Sequence, residues 1–163
     1  MPAAKHVSVR RYVASDAAST WQVFHDAVHG TASRDYTRQQ LDAWAPAEVD
    51  LHLWHERRAK AYTYVACTPT GVVGFSDYTE DGVLDMLFVH PRVGGQGVAR
   101  LLVEKVLSEA AAAGHQQLQV HVSQTALPAF LRFGFTLGSS GYPEVRGQVL
   151  QNFNMSKTLR PER

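Results

Sequence analysis

The sequence predicts an α/β (α+β) fold built on a mixed, mostly antiparallel sheet of about six or seven strands, with helices on both faces. Two observations carry this prediction. After three helical segments, the apolar period changes to that of extended chain at Tyr62, and strands joined by short turns continue to Val89. A glycine-rich turn, an amphipathic helix and another strand then follow without a spacer, which is the order of a β–α–β crossover.

The first part of the chain is predicted to contain one strand and three helices. Good N-capping residues precede each helical segment, and Pro46 stops the second one. The predicted elements are, in order, an alternating strand over 7–12, a helix over 17–28 after an N-cap at Ser15 or Asp16, a loop over 29–36, a helix capped by Thr37, and a helix from Asp50 to about Ala59.

The rest of the chain is predicted to combine several strands with two helices. Turn residues such as Pro69, Gly71 and Gly82 separate the extended segments, and Gly114 is a natural end for the long helix. The predicted elements are, in order, strands over 62–66, 72–77 and 84–89, a helix over 99–113, a strand over 118–122, a helix that opens at Thr125 and Pro128, a loop over 138–143 and a last strand over 147–159.

Composition indicates a single domain over residues 1–163. Apolar residues make up 45% of the chain and charged residues 19%, which is typical of a globular protein. The formal net charge is +1 with no run of like charges, which argues against nucleic acid as a partner. No apolar run has the length of a membrane span or a signal peptide, so a cytoplasmic protein without a membrane partner is expected. Cys67 is the only cysteine, which excludes an internal disulfide.

A glycine-rich turn joins the predicted fourth strand to the long helix. Gly94, Gly95 and Gly97 leave its backbone uncovered, and the helix directs its unpaired N–H groups and positive dipole end at it. Phosphate or pyrophosphate fits such a place, and Arg92 and Arg100 add cationic donors. The plainer alternative is a connection that only lets the strand turn tightly into the helix.

Two common phosphate-binding loops do not match this turn. A Walker A loop ends in Gly-Lys-Ser or Gly-Lys-Thr, whereas this turn ends in Gly97-Val98-Ala99. A dinucleotide fingerprint needs a third glycine where Arg100 stands. The pattern Arg92-x-x-Gly95-x-Gly97 after an apolar strand instead resembles the acyl-CoA loop of the GCN5-related N-acetyltransferase (GNAT) family.

The resemblance covers roughly residues 6–159, and the order of strands and helices after the turn is similar to that of the family. Residues 31–46 resemble a bacterial subgroup of uncharacterised acetyltransferases. The family implies a GNAT-like fold. It also implies transfer of the acetyl group of acetyl-CoA, as co-substrate, to a primary amine of a small molecule or peptide by direct attack in a ternary complex, without a metal.

The family binds CoA along its fourth strand and the glycine-rich turn. Main-chain groups of Leu87 and Val89 would pair with the pantetheine arm, and an N–H near Leu87 or Phe88 would stabilise the oxyanion. The cofactor-binding residues implied by the resemblance are Leu87, Phe88, Val89, Arg92, Val93, Gly94, Gly95, Gln96, Gly97, Val98, Ala99, Arg100, Ser123 and Phe130.

A lysine-like amine is almost fully protonated at neutral pH, so attack needs a general base. Asp85 is the first candidate, because strand alternation puts it on the face of Leu87 and Val89 and an acidic residue here is common in the family. A structural carboxylate is the equal alternative. His121 is the second candidate, because it faces away from the apolar residues of its strand, although strand histidines are more often plain surface residues.

The chain departs from the family at the general acid. Many members carry a tyrosine where this chain has Phe130, so Tyr142 or Tyr36 is predicted to replace it, unless the thiolate leaves unassisted. The family's acceptor site lies between the early helices and the last hairpin, which makes Tyr36 and Trp44 candidate substrate-binding residues. Tryptophans at helical spacing are more often part of the core.

Two other functions stay open. A CoA-binding module without turnover fits the loss of the tyrosine, whereas the near-neutral charge disfavours a toxin-like transferase that acts on aminoacyl-tRNA. No metal is expected at His25 and His29 or at His52 and His55, because spacing marks no third ligand. The family also allows a homodimer.

Overall fold

The computed structural model describes residues 6–159, and this part of the chain contains five α-helices and nine strands. The helices are α1 (Ala17–Gly30), α2 (Arg38–Trp44), α3 (Leu51–Lys60), α4 (Val98–Ala112) and α5 (Leu127–Arg132). The strands are β1 (Ser8–Arg11), β2 (Tyr62–Thr68), β3 (Gly71–Tyr78), β4 (Val83–Val89), β5 (Gln117–Ser123), β6 (Thr136–Gly141), β7 (Glu144–Val145), β8 (Gln148–Val149) and β9 (Asn152–Thr158).

Seven of these strands form one sheet in the order β1-β2-β3-β4-β5-β9-β6. All neighbouring strands are antiparallel except β4 and β5, which are parallel because α4 carries the chain from one to the other. β7 and β8 form a separate small hairpin. The predicted mixed, mostly antiparallel sheet is therefore confirmed.

Helices cover both faces of the sheet, as predicted. On one face, Val106 of α4 belongs to a buried cluster with Leu118 of β5. On the other face, Phe24 of α1 and Trp54 of α3 pack with Phe75 of β3. Each such buried side chain stabilises the fold by about 1.5–3 kcal/mol relative to exposure.

The second and third helices begin at the predicted caps. Thr37 Oγ1 accepts a hydrogen bond from the Gln40 N–H at 3.2 Å, and the Thr37 N–H donates to Gln40 Oε1 at 2.8 Å. Asp50 accepts from the Leu53 N–H at 3.1 Å. Each cap satisfies N–H groups that have no partner within the helix.

The first helix begins after Asp16, as predicted, but the Asp16 side chain does not cap it. A short 3-10 turn, Ala14–Asp16, precedes α1, and the side chain of Asp16 makes no cap to that helix. Its buried carboxylate instead accepts from the Val13 N–H at 2.9 Å and from Arg10 at 2.8 Å. Burial alone would raise the pKa of Asp16, but the hydrogen bonds from Arg10 and Val13 lower it below its ordinary value.

Two predicted loops are also partly regular structure. Helix α1 continues to Gly30 and is followed by a 3-10 turn over Thr31–Arg34, because the buried Ala32 holds this segment in the core. The segment predicted as a loop over 138–143 supplies most of β6. β6 is an edge strand whose residues are almost all exposed, so it lacks the apolar alternation by which a strand is recognised.

The last strand is shorter than predicted. Residues 147–151 belong to the small hairpin and the link after it, and β9 begins only at Asn152. The hairpin lies against α2: Arg146 Nη1 donates to the Ala43 carbonyl at 2.6 Å, and Gln40 Nε2 donates to the Val149 carbonyl at 2.9 Å. These contacts fix the hairpin beside the middle of the sheet.

Only the first two residues of β4 pair with β5, at the middle of that strand. The parallel register joins Val83 with Gln119 and Leu84 with Val120. Beyond these residues β4 continues along β3 and β5 continues along β9, so the sheet opens between them. The divergence creates the gap in which the candidate site lies.

β4 also carries a bulge next to this opening. In the β3–β4 register, Asp77 is opposite Met86 whereas Tyr78 is opposite Leu84, so Asp85 is the extra residue. The Asp77 carboxylate accepts a hydrogen bond from the Met86 N–H at 3.0 Å. A side chain of β3 thus stabilises the irregular backbone of β4.

Candidate functional site

The gap between β4 and β5 opens into two adjoining cavities. The larger has a volume of about 750 Å³ and lies beside the glycine-rich turn. The smaller has a volume of about 220 Å³ and lies between β4, β5 and the beginning of β9. Both are lined by Trp44, Leu87, Phe88, Ser123, Ala126 and Phe130. Together they form one cleft that leads from the turn to Asp85.

The glycine-rich turn has the open backbone that the sequence predicts. Gly95 and Gly97 adopt positive φ angles of 76° and 81°, a region that favours glycine. Gly97 is the N-cap of α4, and a Cβ atom added to it would meet no atom within 4 Å. The unpartnered N–H groups at the start of α4 therefore face an accessible space at the positive end of a long helix.

The cations around the turn differ from the prediction. Arg100 lines the larger cavity, where its guanidinium lies 5.4 Å from the centre of the Phe133 ring. Arg92 is not among the described residues that line it, and its N–H donates to His90 Nδ1. Arg132 of α5 lines the cavity as well and was not predicted. The other cofactor-binding residues predicted from the resemblance all line the larger cavity.

The smaller cavity is mainly apolar. Its polar lining comes from Asp85, His121 and four neutral residues, Tyr36, Ser123, Gln151 and Asn152. The apolar lining residues are Trp44, Leu84, Met86, Leu87, Phe88, Val120, Val122, Ala126, Phe130, Pro143, Val145 and Leu150. Such a space favours a ligand with an apolar body and one polar end.

Asp85 lies on a different face of β4 from the predicted one. The bulge interrupts the alternation, so Leu84 and Leu87 both pack into the cluster on the α4 side. The Asp85 carboxylate instead lies 3.7 Å from Arg58 Nη2 of α3. The prediction that Asp85 shares a face with Leu87 and Val89 is therefore wrong, although its half-exposed side chain does line the smaller cavity.

Arg58, which contacts Asp85 at the cavity wall, also forms a buried ion pair with Asp77. Arg58 Nη1 donates to Asp77 Oδ2 at 2.8 Å, and both side chains are almost fully buried. The guanidinium lies 4.8 Å from the centre of the Trp54 ring, and Thr63 donates a further hydrogen bond to Asp77 at 3.3 Å. Arg58 therefore joins a carboxylate of the core to the carboxylate at the cavity wall.

The pKa of the Asp77 carboxyl is raised above its ordinary value. Burial is the largest cause, and the nearby Asp85 carboxylate adds to it. Arg58 and the hydrogen bond from the Met86 N–H act in the opposite direction. Neither Arg58 nor Asp77 was predicted from the sequence, because a single arginine on a helix and a single aspartate on a strand give no sign that they meet.

The Arg58→Met substitution is expected to lower the free energy of unfolding by about 1–3 kcal/mol near pH 8, because Asp77 loses its cation in the core. The loss is smaller at neutral pH, where Asp77, with its pKa raised to about 7, is already partly protonated. Without Arg58 the pKa of Asp77 rises further above its value in the unfolded chain. Protonation of Asp77 then removes the uncompensated charge from the core of the variant. The loss in the free energy of unfolding should therefore be smaller near pH 5 than near pH 8. Denaturant unfolding at both pH values measures the effect.

Arg57→Met is the matched control, since Arg57 is the exposed neighbour on the same helix. Its expected effect is within about 0.5 kcal/mol of zero. Equal losses in the two variants, or a loss in Arg58→Met that does not change with pH, would contradict the role given to the pair.

His121 alternates with buried residues on β5, as predicted, and its exposed side chain lies at the edge of the smaller cavity. Its Nδ1 is hydrogen-bonded to Asn154 Oδ1 of β9. His121 and Asp85 thus belong to the same cavity, one on each of the two diverging strands.

The two tyrosines predicted to replace the missing acid have different surroundings. The Tyr36 hydroxyl donates to the Gln151 carbonyl and accepts from the Gln124 N–H, both at 2.9 Å. Burial raises its pKa above the ordinary value. Tyr142 is 66% exposed and is not among the described residues that line either cavity. The structure brings Tyr36 to the site and leaves Tyr142 outside it.

The remaining predicted residues meet at the junction of the two cavities. Phe130 is buried and lines both, as do Ser123 and Trp44. Trp44 packs edge-on against Tyr36, with ring centres 5.5 Å apart. The same ring lies 6.1 Å from the ring centre of Phe88. These aromatic contacts place the end of α2 at the wall of the cleft.

The hairpin and the beginning of β9 add lining residues that sequence reasoning missed. These residues, Val145, Leu150, Gln151 and Asn152, line the smaller cavity from the side of the hairpin. No pattern in the sequence marks them, because their contribution depends on how the hairpin folds back against α2.

Residues 6–159 contain no cluster of three or more histidine, cysteine, aspartate or glutamate side chains arranged to hold a metal ion. Within the same range, every helix is too short or too polar to cross a membrane.

Residues 32–159 match the model of a protein family described as an acetyltransferase (GNAT) domain. The chain is also 35% identical over 150 residues to the uncharacterised N-acetyltransferase YafP of Escherichia coli strain K12, an alignment that covers 92% of this chain and 95% of that protein.

Solved structures share the fold. A GCN5-related N-acetyltransferase from Rhodopseudomonas palustris superposes with a TM-score of 0.92 at 29% identity, over 98% of this chain and 99% of the other. A GNAT superfamily phosphinothricin acetyltransferase from Sinorhizobium meliloti, solved in complex with acetyl-CoA, has a TM-score of 0.73 at 16% identity, over 96% and 94% of the two chains.

Proposed function

Since the chain belongs to the GNAT family of acetyltransferases, we propose that it transfers the acetyl group of acetyl-CoA to a primary amine by direct attack within a ternary complex. Acetyl-CoA-dependent acyl transfer is the activity of the family and applies to this chain as a whole. The amine belongs to a small molecule or a peptide. Acetyl-CoA is a co-substrate, and the reaction requires no metal.

One observation carries the proposal. The diverging strands β4 and β5 open a continuous cleft with the glycine-rich turn at one end and a carboxylate at the other. A thioester that entered along β4 would present its carbonyl near the junction of the two cavities. An amine in the smaller cavity would then lie between the thioester and Asp85.

The donor side is supplied by the glycine-rich turn and by β4. The N–H groups from Gly95 to Ala99 suit the pyrophosphate, whereas those of Val93 and Gly94 already donate to the His90 and Pro91 carbonyls. Arg100 and Arg132 suit further phosphate charge. Leu87 and Val89 offer main-chain groups to the pantetheine arm in the manner of an added strand.

The oxyanion would be stabilised by a main-chain N–H of β4. Side chains of β3 bind both main-chain groups of Met86: Asp77 accepts from its N–H, and Ser76 donates to its carbonyl at 2.7 Å. Of the two candidates, Leu87 and Phe88, the N–H that polarises the thioester carbonyl comes from Leu87. His90 donates to the Val73 carbonyl, and Phe88, two residues earlier on the strand, faces β3 in the same way. The bulge at Asp85 sets the direction of these groups.

Asp85 acts as the general base. About one lysine-like amine in a thousand is neutral at pH 7, so a base that removes the proton increases the reactive fraction. The Asp85 side chain is 49% exposed and remains open to the cavity, while Arg58 holds it from behind at 3.7 Å. His121 on the facing strand is the second candidate for this role.

The leaving thiolate has no tyrosine at the family position. Tyr36 is the nearer substitute, because its hydroxyl lies at the wall of the cleft, whereas Tyr142 is exposed outside it. The Tyr36 proton is already donated to the Gln151 carbonyl, which favours departure of the thiolate unassisted or with a proton from water.

The Phe130→Tyr substitution is expected to leave the affinity for CoA within about a few-fold and to keep or raise kcat, since a phenol with a pKa near 10 can protonate a leaving thiolate. Steady-state kinetics measure the change. Phe133→Tyr is the matched control, because Phe133 borders only the larger cavity. A fall in kcat for Phe130→Tyr alone would show that the added hydroxyl does not reach the sulfur.

The proposal is tested by following thiol release. Acetyl-CoA should raise the unfolding temperature, and a panel of primary amines should then release free CoA with formation of the N-acetyl product. Stabilisation by acetyl-CoA without turnover on any amine would support the alternative, a CoA-binding module, which is favoured by Phe130 at the position of the acid.

Three further predictions go with this function. We propose that residues 1–163 act as a single acyl-CoA N-acyltransferase domain. A cytoplasmic location and a homodimer stay predictions from the sequence and the family.

A further inference from the structure

On the basis of the proposed function, we infer that the acceptor is a small amine with an apolar body and no carboxylate beside its amino group. The smaller cavity, with a volume of about 220 Å³, is where this acceptor binds. The size, the lining and the charge of this cavity each limit which amines can bind.

The apolar lining selects the body of the acceptor. Trp44, Met86, Phe88, Val122 and Leu150 present hydrocarbon or aromatic surface to the cavity. A polar or charged group against these walls would lose its hydration without gaining a partner, whereas an alkyl or aryl group gains from leaving water.

The charge of the cavity selects the polar end. Asp85 is the carboxylate among its described lining residues, and no lysine or arginine from residues 6–159 lines it. Arg58 can offset only one of two negative charges, because it is shared between Asp77 at 2.8 Å and Asp85 at 3.7 Å. An ammonium group is therefore attracted to the cavity and a carboxylate is repelled from it.

Geometry prevents an amino acid from keeping its carboxylate outside. The carboxyl carbon of an α-amino acid lies only about 2.5 Å from its nitrogen. When the nitrogen reaches the thioester, the carboxylate is inside the cavity and close to Asp85. Neutral donors such as Ser123 and Asn152 line the cavity, but no lysine or arginine of residues 6–159 does. A buried carboxylate beside Asp85 is therefore unfavourable, and free α-amino acids should be poor acceptors.

The test compares three amines that share one ring: 2-phenylethylamine, phenylalaninamide and phenylalanine. Thiol release gives kcat/KM for each amine. Each value is then divided by the fraction of that amine that is unprotonated at the pH of the assay. Phenylethylamine should be the best of the three, and phenylalanine should be lower by about 100-fold or more, because a like charge meets Asp85. Phenylalaninamide should fall between them, because it has the size of phenylalanine without the charge.

Each other outcome overturns one specific claim. Phenylalanine within a few-fold of phenylethylamine would overturn the inference and leave the proposed function standing. Phenylalaninamide as the best of the three would also overturn it, in favour of a peptide α-amine. No N-acetyl product from any amine, with acetyl-CoA bound, would overturn the proposed function itself and the acceptor class with it.

A charge variant tests the physical reason. Gln151 lines the cavity and is partly exposed, so Gln151→Arg should add a cation there. The preference for phenylethylamine over phenylalanine should then fall by about 10-fold or more, because the carboxylate gains a partner. Gln151→Met is the uncharged control and should keep the preference. Equal ratios in both variants would rule out charge as the cause, and if Gln151→Arg does not fold, the amine series decides alone.

Discussion

Gly97→Glu is expected to abolish CoA binding, with a loss of affinity of about 100-fold or more, while the domain stays folded. The added carboxylate would stand at the N-terminus of α4, in the space that the pyrophosphate needs. The fold should tolerate the change, because a Cβ at Gly97 meets no atom within 4 Å. Only the positive φ of 81° adds strain, of about 1–2 kcal/mol.

Isothermal titration with CoA measures this loss, and two controls separate its causes. Gly97→Gln has the same shape without the charge and should bind CoA more weakly than wild type but better than Gly97→Glu. Gly114→Glu carries the same substitution at a positive φ of 97° beyond the other end of α4, again with open space around the Cβ. It should bind normally. Unchanged affinity in folded Gly97→Glu would refute the assignment of the turn.

Asp85→Asn is expected to lower kcat by about 100-fold or more near neutral pH with little change in CoA affinity, because the amide cannot accept the proton of the amine. The loss should shrink as the pH is raised, since more of the amine is then neutral without help. The pH profile of kcat, measured with a simple amine such as phenylethylamine, gives the loss near neutral pH and its recovery at higher pH.

Asp81→Asn is the matched control, because Asp81 is an exposed carboxylate in the turn before the same strand. It should leave the profile unchanged. Activity of Asp85→Asn equal to wild type would remove Asp85 from catalysis. A marked fall in its unfolding temperature, with a rate loss that higher pH does not restore, would favour the structural carboxylate held by Arg58.

The part of the site proposed to bind acetyl-CoA could largely be predicted from the sequence. Three glycines between an apolar strand and an amphipathic helix are a local signal, and the turn they form depends on few distant residues. The helices with capping residues at Thr37 and Asp50 could be predicted for the same reason, since a cap acts within one turn.

The part of the site around Asp85, where the amine is proposed to bind, could not be predicted in this way. The face on which Asp85 lies depends on a bulge that Asp77 stabilises from the neighbouring strand. A period of two along β4 cannot reveal an extra residue whose cause lies on another strand. The burial of Arg58 is equally invisible, because on its helix it stands among exposed charged residues.

The two tyrosines illustrate the same limit. The Tyr36 hydroxyl is hydrogen-bonded to residues at the ends of β5 and β9. Tyr142 is 66% exposed, and its hydroxyl accepts a long hydrogen bond of 3.5 Å from Gln151 Nε2. Only the path of the hairpin decides between them. Sequence periodicity describes each segment alone, whereas the acceptor cavity is assembled from segments far apart in the chain.

On the proposed function, we expect the hairpin β7–β8 to act as a separable recognition module. It closes the acceptor cavity and is held by α2 through Arg146 and Gln40, while the donor machinery of β4 and α4 lies elsewhere in the chain. Exchanging the hairpin together with its contact residues on α2 should therefore change which amines the enzyme prefers. Its affinity for acetyl-CoA should stay the same.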